Sequence, residues 1–115
     1  MIKRGAIHWA SLADPRGSEP GFRRPVVVVS SDAFNRSEIS TVLVAVITSN
    51  IHLKTAPGNI FLPPASSGLP KNSVINISQI ITLDKDFLDD STACLPETFM
   101  HQLDNGLRLV LSLAN

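Results

Sequence analysis

Two runs of β-branched, apolar residues constrain the fold of this chain of 115 residues most strongly. Residues 25–30 read Pro-Val-Val-Val-Val-Ser, and residues 41–48 read Thr-Val-Leu-Val-Ala-Val-Ile-Thr. Valine and isoleucine favour strands, and a strand that is apolar at consecutive positions is typical of burial on both faces. We therefore predict two central strands of a β-sheet with core on either side of them.

Further short strands are predicted on both sides of this pair, at residues 5–12, 59–62 and 73–83. Residues 13–24 contain two prolines and two glycines, so we expect a long loop there. The polar residues 31–40 leave room for a turn or a short helix. The prediction is a sheet of five or six strands.

The period of the apolar residues changes after Pro96. From Phe99 to Ala114 they recur every three or four positions, which predicts an amphipathic C-terminal helix with Pro96 and Glu97 in its first turn. Gly106 lies inside this helix at a cost of up to ~1 kcal/mol relative to alanine, and a close contact with another element is one explanation. Strands first, a helix last and no βαβ alternation predict a mainly-β (α+β) fold, a small, strongly bent antiparallel barrel with a packed helix.

Length and composition indicate a single folded domain, residues 1–115. We expect it to be soluble. The chain is 43% hydrophobic and 17% charged, which is too apolar for a disordered protein. No apolar run approaches the ~20 residues of a membrane span. Cys94 is the only cysteine, which excludes an intrachain disulfide and a cysteine zinc site within one chain. We expect a cytoplasmic protein that needs no metal and no cofactor.

The charge is unevenly divided, although the net charge is zero. Residues 1–60 carry seven basic and four acidic side chains, whereas residues 61–115 carry three basic and six acidic ones. A polyanion is therefore expected at a surface built by the first half. Ordinary solvated charge explains the same division.

Arg24 is the first candidate for chemistry. Pro25 restricts the residue before it to extended geometry, which fixes how the arginine leaves the loop and enters the strand. A guanidinium is always charged, and its planar fork of donors matches phosphate oxygens. The alternative is a surface ion pair with Asp32 or Glu19.

Two further groups of side chains lie near the predicted strand ends. Thr48 and Ser49 close the most apolar strand, where their hydroxyls can donate to a phosphate or simply begin a turn. Phe22 lies beside Arg23 and Arg24, and it either stacks an RNA base or anchors the loop to the core.

Other kinds of site are not favoured by the sequence. The histidines at positions 8, 52 and 101 lie on a strand, a loop and a helix without metal-ligand spacing. The aspartates at positions 84, 86, 89 and 90 suit a metal, but they also suit the start of a short helix, where capping explains them. No Gly-rich phosphate loop, nucleophile elbow or helical His-Glu-x-x-His occurs.

Five motifs occur together in an order and spacing that resemble the MazF/PemK/Kid growth-inhibitor toxin family, from about residue 3 to residue 113. They are Arg4-Gly-x-Ile7-x-Trp9-x-x-Leu12, Gly17-Ser18-Glu19, Arg24-Pro-Val-Val-Val28, Val46-Ile-Thr-Ser49 and Leu69-Pro-Lys-Asn-Ser-Val74. Each motif is weak alone, whereas the ordered set is specific.

The resemblance implies an SH3-like barrel of the CcdB/Kid/MazF type and a homodimer. It also implies the toxin of a type II toxin-antitoxin system, a metal-independent, sequence-specific endoribonuclease that cuts single-stranded RNA and is inhibited by a cognate MazE-like antitoxin. Arg24 and Thr48 would be the catalytic pair. The resemblance adds six candidates for RNA contact, which are Ser18, Gly21, Pro25, Ser73, Asn76 and Gln79. Some relatives carry an acidic residue at the position of Ser78.

The chemistry can also be argued from RNA itself. The 2′-hydroxyl attacks the adjacent phosphorus and expels the 5′-oxygen, which leaves a 2′,3′-cyclic phosphate and a 5′-hydroxyl. The protein must stabilise the added negative charge, and losing one preorganised donor typically costs ~10²–10³ in rate. Because an arginine stays charged at neutral pH, Arg24 suits charge stabilisation better than proton transfer.

Two alternative functions are compatible with the same fold. A barrel of the same fold can poison a protein target such as DNA gyrase, as CcdB does with a C-terminal Trp-Gly-Ile. This chain ends Ser-Leu-Ala-Asn115, which counts against that function. A degenerate family member would keep only antitoxin binding, and the presence of Arg24 and Thr48 counts against that.

Overall fold

Antiparallel strands form one curled sheet in the computed structural model, which describes residues 1–12 and 22–114 and, at position 22, the backbone alone. The strands are β1 (Ala6–Leu12), β2 (Phe22–Val28), β3 (Thr41–Thr48), β4 (Ile60–Leu62), β5 (Ser73–Asp84) and β6 (Leu88–Cys94). They lie in the order β4-β5-β3-β2-β1-β6, so β2 and β3 are central as predicted. β4 and β6 are the two edges of the sheet, which curls into a half-barrel.

Helices connect and cover the strands. Their bounds are α1 (Asp32–Arg36), α2 (Pro64–Ser67) and α3 (Glu97–Leu111), with 3₁₀ turns at Ile51–Thr55 and Lys85–Phe87. The mainly-β fold with a C-terminal helix is confirmed, and the polar stretch 31–40 holds the short helix α1. In the described part of the chain no helix combines the length and apolarity that a membrane crossing requires.

The sheet has a core on each face, which explains the unbroken apolar runs. Val26, Val27 and Val28 are all fully buried although their side chains alternate between the faces. The helix-side core lies under α3 and comprises Ile7, Val27, Ala45, Ile47, Ile60, Leu62, Leu69, Ile75, Ile77, Leu95, Leu103 and Leu107. The opposite core comprises Ala10, Val26, Val28, Val42, Val44, Val46 and Leu83.

Strand β2 begins earlier than predicted. The loop was expected to continue through Arg24, yet residues 22–24 already pair with residues 10–12 of β1. The prediction was wrong because pairing with β1 holds residues 22–24 in the sheet. These residues carry no apolar pattern that would mark them as a strand. Arg24 therefore lies inside a strand and not where a loop enters one.

Strand β6 replaces most of the short helix that was expected after Asp84. Only the 3₁₀ turn Lys85–Phe87 forms, and the Asp84 carboxylate caps it by accepting from the Asp86 amide at 2.9 Å. Asp89 lies on β6, which pairs with β1. Strand β6 was not predicted because it is an exposed edge strand with few apolar residues.

Strand β5 contains a bulge that bears on the site. Ala45 of β3 pairs with Ile80, whereas the next residue, Val46, pairs with Asn76. Residues 77–79 therefore have no partner of their own on β3. Such a bulge bends a strand and changes the direction of its side chains.

The close contact suggested by Gly106 is present. Gly58 has a left-handed φ of 82°, and its carbonyl oxygen lies where a side chain on Gly106 would begin. Helix α3 therefore packs with its backbone directly against the turn that precedes β4.

Replacing Gly106 by alanine is expected to destabilise the protein by about 1–3 kcal/mol. The new methyl group overlaps a backbone oxygen, and this outweighs the ~1 kcal/mol gain in helix propensity. Chemical denaturation measures the free energy of unfolding. The control is Gln102→Ala at an exposed position of the same helix, where a change within ~0.5 kcal/mol is expected. Equal or higher stability of Gly106→Ala would contradict the direct backbone contact.

Candidate active site

The register of β2 and β3 brings the two candidate catalytic residues level with each other. Val26 pairs with Val46 and Val28 with Val44. The same register, continued by two residues, sets Arg24 beside Thr48. One end of the two central strands therefore carries both side chains that the sequence singled out.

Strand alternation divides the neighbouring candidates between the two faces of the sheet. Arg24 and Thr48 have the parity of Val26 and Val46 and so belong to the face of the opposite core. Arg23 and Pro25 have the other parity and belong to the helix side. The site thus lies at the rim of the sheet, where the two faces meet solvent.

A cavity of about 310 Å³ opens at this rim. Its wall combines basic, hydroxyl and apolar groups, and it consists of Trp9, Arg23, Arg24, Pro25, Ile47, Ser49, Leu69, Pro70, Lys71 and Ser73. Among these described residues three are cationic and none is acidic. The cavity therefore offers an anion several positive charges and hydroxyl donors beside one aromatic ring.

The structure brings together only part of the predicted set. Arg23, Arg24, Pro25, Ser49 and Ser73 line the cavity. Thr48 is not among the lining residues, although its two chain neighbours, Ile47 and Ser49, are. The candidates Ser18 and Gly21, and the side chain of Phe22, lie outside the described residues.

Arg23 is held by two partners that the sequence did not indicate. Its guanidinium forms an ion pair with the Asp89 carboxylate and lies over the Trp9 ring, 5.6 Å from the centroid. Both charged side chains are about half exposed, at 53% and 55%, so the pair contributes little to stability and leaves the arginine accessible. No sequence pattern indicated the pairing with Asp89, because β6 itself was not predicted.

The backbone of Asp89 is fixed by a buried histidine. His8 is only 7% exposed and donates from Nδ1 to the Asp89 carbonyl oxygen at 2.6 Å. Its Nε2 is buried with no hydrogen-bond partner in residues 1–12 and 22–114. His8 thus supports the strand that holds Arg23 in place.

Thr48 is oriented by the turn that follows it. Its hydroxyl oxygen accepts from the Asn50 amide at 3.1 Å, and the Asn50 side chain in turn accepts from the His52 amide at 3.2 Å. Thr48 therefore begins a turn, which was one of the two interpretations of its hydroxyl. The bond occupies a lone pair of the oxygen and leaves the hydroxyl hydrogen for an incoming acceptor.

Asn76 and Gln79 form a separate polar group and are not among the residues that line the cavity. Asn76 lies opposite Val46, and the next residue of β3 on the same face is Thr48. The Asn76 side chain contacts Asn59, Ser78 and Gln79 through hydrogen bonds. Asn59 was not among the predicted site residues, because only the folded chain brings it to β5.

Asp32 and Glu19 were the two ion-pair partners considered for Arg24. The Asp32 carboxylate accepts from the backbone amide of Arg4 at 2.8 Å. Glu19, the other suggested partner, lies outside the described residues. Across those described residues, no three or more His, Cys, Asp or Glu side chains gather into a group that could hold a metal ion.

Comparison with known proteins gives the same family that the motifs suggested. Residues 3–111 match the model of a family described as PemK-like, MazF-like toxin of type II toxin-antitoxin system. Endoribonuclease MazF2 of Mycobacterium bovis is 49% identical over 113 residues, which cover 98% of this chain and 99% of the relative. Endoribonuclease MazF of Staphylococcus epidermidis is 39% identical over 115 residues, which cover 100% of this chain and 95% of the relative.

The fold is shared with solved structures as well. An endoribonuclease from a mycobacterial species, in complex with its cognate antitoxin, superposes with a TM-score of 0.78 at 23% identity, covering 100% of this chain and 99% of that one. At this identity the likeness concerns the fold, and the family assignment comes from the sequence matches. The chain belongs to the PemK-like, MazF-like toxin family of type II toxin-antitoxin systems.

Proposed function

We propose that this chain is an endoribonuclease, the toxin of a type II toxin-antitoxin pair, and that it cuts single-stranded RNA with sequence specificity at Arg24 and Thr48. The observation that carries the activity is the 49% identity to an endoribonuclease over 98% of this chain. The cationic cavity at the ends of β2 and β3 supports the position of the site.

The reaction uses a nucleophile that the RNA supplies. The 2′-oxygen forms a bond to the adjacent phosphorus while the bond to the 5′-oxygen breaks. The products are a 2′,3′-cyclic phosphate and a 5′-hydroxyl. Negative charge accumulates on the nonbridging oxygens in the transition state, so the protein accelerates the reaction by placing donors around them.

Arg24 and Thr48 are suited to that task by their positions. The guanidinium donates to two oxygens at once and stays charged at neutral pH. The Thr48 hydroxyl is oriented by its bond to the Asn50 amide before the substrate arrives. Donors that are already placed need no reorganisation in the transition state, which is the main source of their effect.

The cavity also contains groups that can bind the RNA on either side of the cleaved bond. Arg23 and Lys71 attract the flanking phosphates, and Ser49 and Ser73 offer hydroxyl donors. Trp9 adds an aromatic surface for a base. Asn76 and Gln79 extend the binding surface along β5. Pro25 in the cavity wall, and Ser18, Gly21 and Phe22 nearer the loop, remain predicted contacts.

The partners follow from the family. We propose a MazE-like antitoxin and a homodimer of one domain, residues 1–115, acting in the cytoplasm. A protein with the same fold was solved with its cognate antitoxin, which supports the first of these. The gyrase poison considered from the sequence is not favoured, because the relatives that cover nearly the whole chain are endoribonucleases.

Replacing Arg24 tests the charge stabilisation. The purified protein, free of antitoxin and in EDTA, should cut a mixed-sequence single-stranded RNA into discrete fragments with 5′-hydroxyl ends. Arg24→Ala should lower kcat by ~10²–10³, because a preorganised cationic donor is lost. Arg24→Lys should recover only part of the rate, since an ammonium cannot donate through a planar fork. Equal cutting by wild type and Arg24→Ala would rule out this mechanism.

Replacing Thr48 tests the hydroxyl separately. Thr48→Val keeps the shape and removes the donor, so kcat should fall by up to ~10² while binding of uncleaved RNA changes little. Thr48→Ser keeps the hydroxyl and should retain most of the activity. If valine and serine variants have the same rate, the hydroxyl takes no part in the reaction.

Replacing Arg23 tests the binding surface. Binding of RNA with a 2′-deoxy nucleotide at the cleavage position, measured over a range of salt, should weaken for Arg23→Gln. Its slope of log K against log[salt] should fall by about 0.7, the value for one phosphate contact on a single strand. Arg36→Gln is the matched control, because Arg36 is an exposed arginine on α1 outside the cavity. An equal change in both variants would place Arg23 outside the RNA site.

A further inference from the structure

Asn59 lies between two backbone groups whose polarity cannot change. Its Oδ1 accepts from the N–H of Ile77 at 2.9 Å, and its Nδ2 donates to the C=O of Leu53 at 2.9 Å. A backbone N–H only donates and a backbone C=O only accepts. The side-chain amide of Asn59 therefore has one possible orientation.

The orientation of Asn59 sets that of Asn76. The Nδ2 of Asn59 also donates to the Oδ1 of Asn76 at 3.3 Å, so Asn76 must turn its oxygen toward Asn59. The Ser78 hydroxyl donates to the same oxygen at 3.5 Å. The Nδ2 of Asn76 then faces Gln79, whose Oε1 accepts from it at 3.4 Å. This order leaves the amino group of the exposed Gln79 as the group presented to a ligand.

These amides lie beside the proposed catalytic residues. Asn76 is opposite Val46, so Thr48 is its diagonal neighbour on the same face, at about 7–8 Å between Cα atoms for such pairs. The bulge at residues 77–79 releases Ser78 and Gln79 from pairing with β3. Both side chains are exposed and can meet a base next to the cleaved phosphate.

The frame that holds Asn59 is stiff. Its backbone amide donates to the Ala56 carbonyl at 3.1 Å, and the preceding Gly58 is packed directly against Gly106 of α3. Asn59 itself is partly buried. A part-buried amide with this many fixed partners does not rotate to suit a ligand. The fold therefore determines which side of Asn59 donates and which side accepts.

We infer that Asn59 is a specificity-positioning residue, which fixes the donor and acceptor order that Asn76 and Gln79 present to one RNA base. The inference rests on the proposed endoribonuclease function. Bases differ in the donors and acceptors on their exposed edges, so a site that offers a donor selects a base that offers an acceptor. Asn59 touches neither the RNA nor the reacting atoms and acts through Asn76.

The test removes the hydrogen-bond donor of Asn59 that orients the Asn76 amide. In Asn59→Asp the new carboxylate still accepts from Ile77 but has no hydrogen to donate, so Asn76 turns its Nδ2 inward and its Oδ1 toward Gln79. Gln79 then presents its Oε1 outward. Sequencing the 5′-hydroxyl ends cut from a long RNA should show a changed base at one position. The ratio of kcat/KM for two substrates that differ at that base should shift at least ~10-fold.

A second variant keeps the test informative if Asn59→Asp folds poorly against the Leu53 carbonyl. Asn76→Asp leaves Asn59 in place, accepts from its Nδ2 and offers an oxygen to Gln79, so it should change the same base in the same direction. Asn105→Asp is the matched control, because it adds one carboxylate at an exposed position of α3 and should keep the wild-type profile.

The outcomes separate the two proposals. If wild-type protein cuts no RNA, the proposed function fails and the inference fails with it. If wild type cuts RNA and the folded variants cut it with an unchanged base profile, the inference alone is overturned. A merely structural role for Asn59 would lower the rate on all substrates equally, whereas the positioning role changes their ranking.

Discussion

The pairing register of β2 and β3 determines both how the two cores pack and where the proposed catalytic residues lie. Both strands carry apolar residues at consecutive positions, so each supplies side chains to the cores on both faces. A slip of one residue would exchange those faces. In the observed register Val26 lies opposite Val46, and continuing it sets Arg24 level with Thr48. The packing that stabilises the centre of the sheet therefore also aligns the proposed catalytic pair at its end.

The cations that line the cavity lie close together, which is electrostatically unfavourable. Arg23, Arg24 and Lys71 repel one another, and the ion pair with Asp89 offsets the charge of the first. Because that pair is half exposed, an approaching phosphate can compete for the guanidinium. The basic excess of residues 1–60 thus appears at the site, although the third cation comes from the second half of the chain.

Local patterns predicted the centre of the fold, and long-range pairing explains what they missed. The apolar runs marked β2 and β3, the period after Pro96 marked α3, and Gly106 pointed to a close backbone contact. Strand β6 was missed because an edge strand gains its pairing from β1 and needs no apolar alternation. Of the cavity, Arg23, Arg24, Pro25, Ser49 and Ser73 were among the predicted residues. Trp9 and Lys71 were not assigned roles, and Asp89 was expected at the start of a short helix, because the positions of all three depend on contacts between distant segments.

We propose that the ends of β2 and β3 hold the phosphate that is cut. A crystal structure with an RNA that carries a 2′-deoxy nucleotide at the cleavage position would show where this phosphate binds, because the nucleophile is absent and the substrate stays intact. We expect the cleavable phosphate within hydrogen-bond distance of the Arg24 guanidinium and the Thr48 hydroxyl. A phosphate bound away from both side chains, in a complex whose native RNA is cut at that same bond, would contradict it.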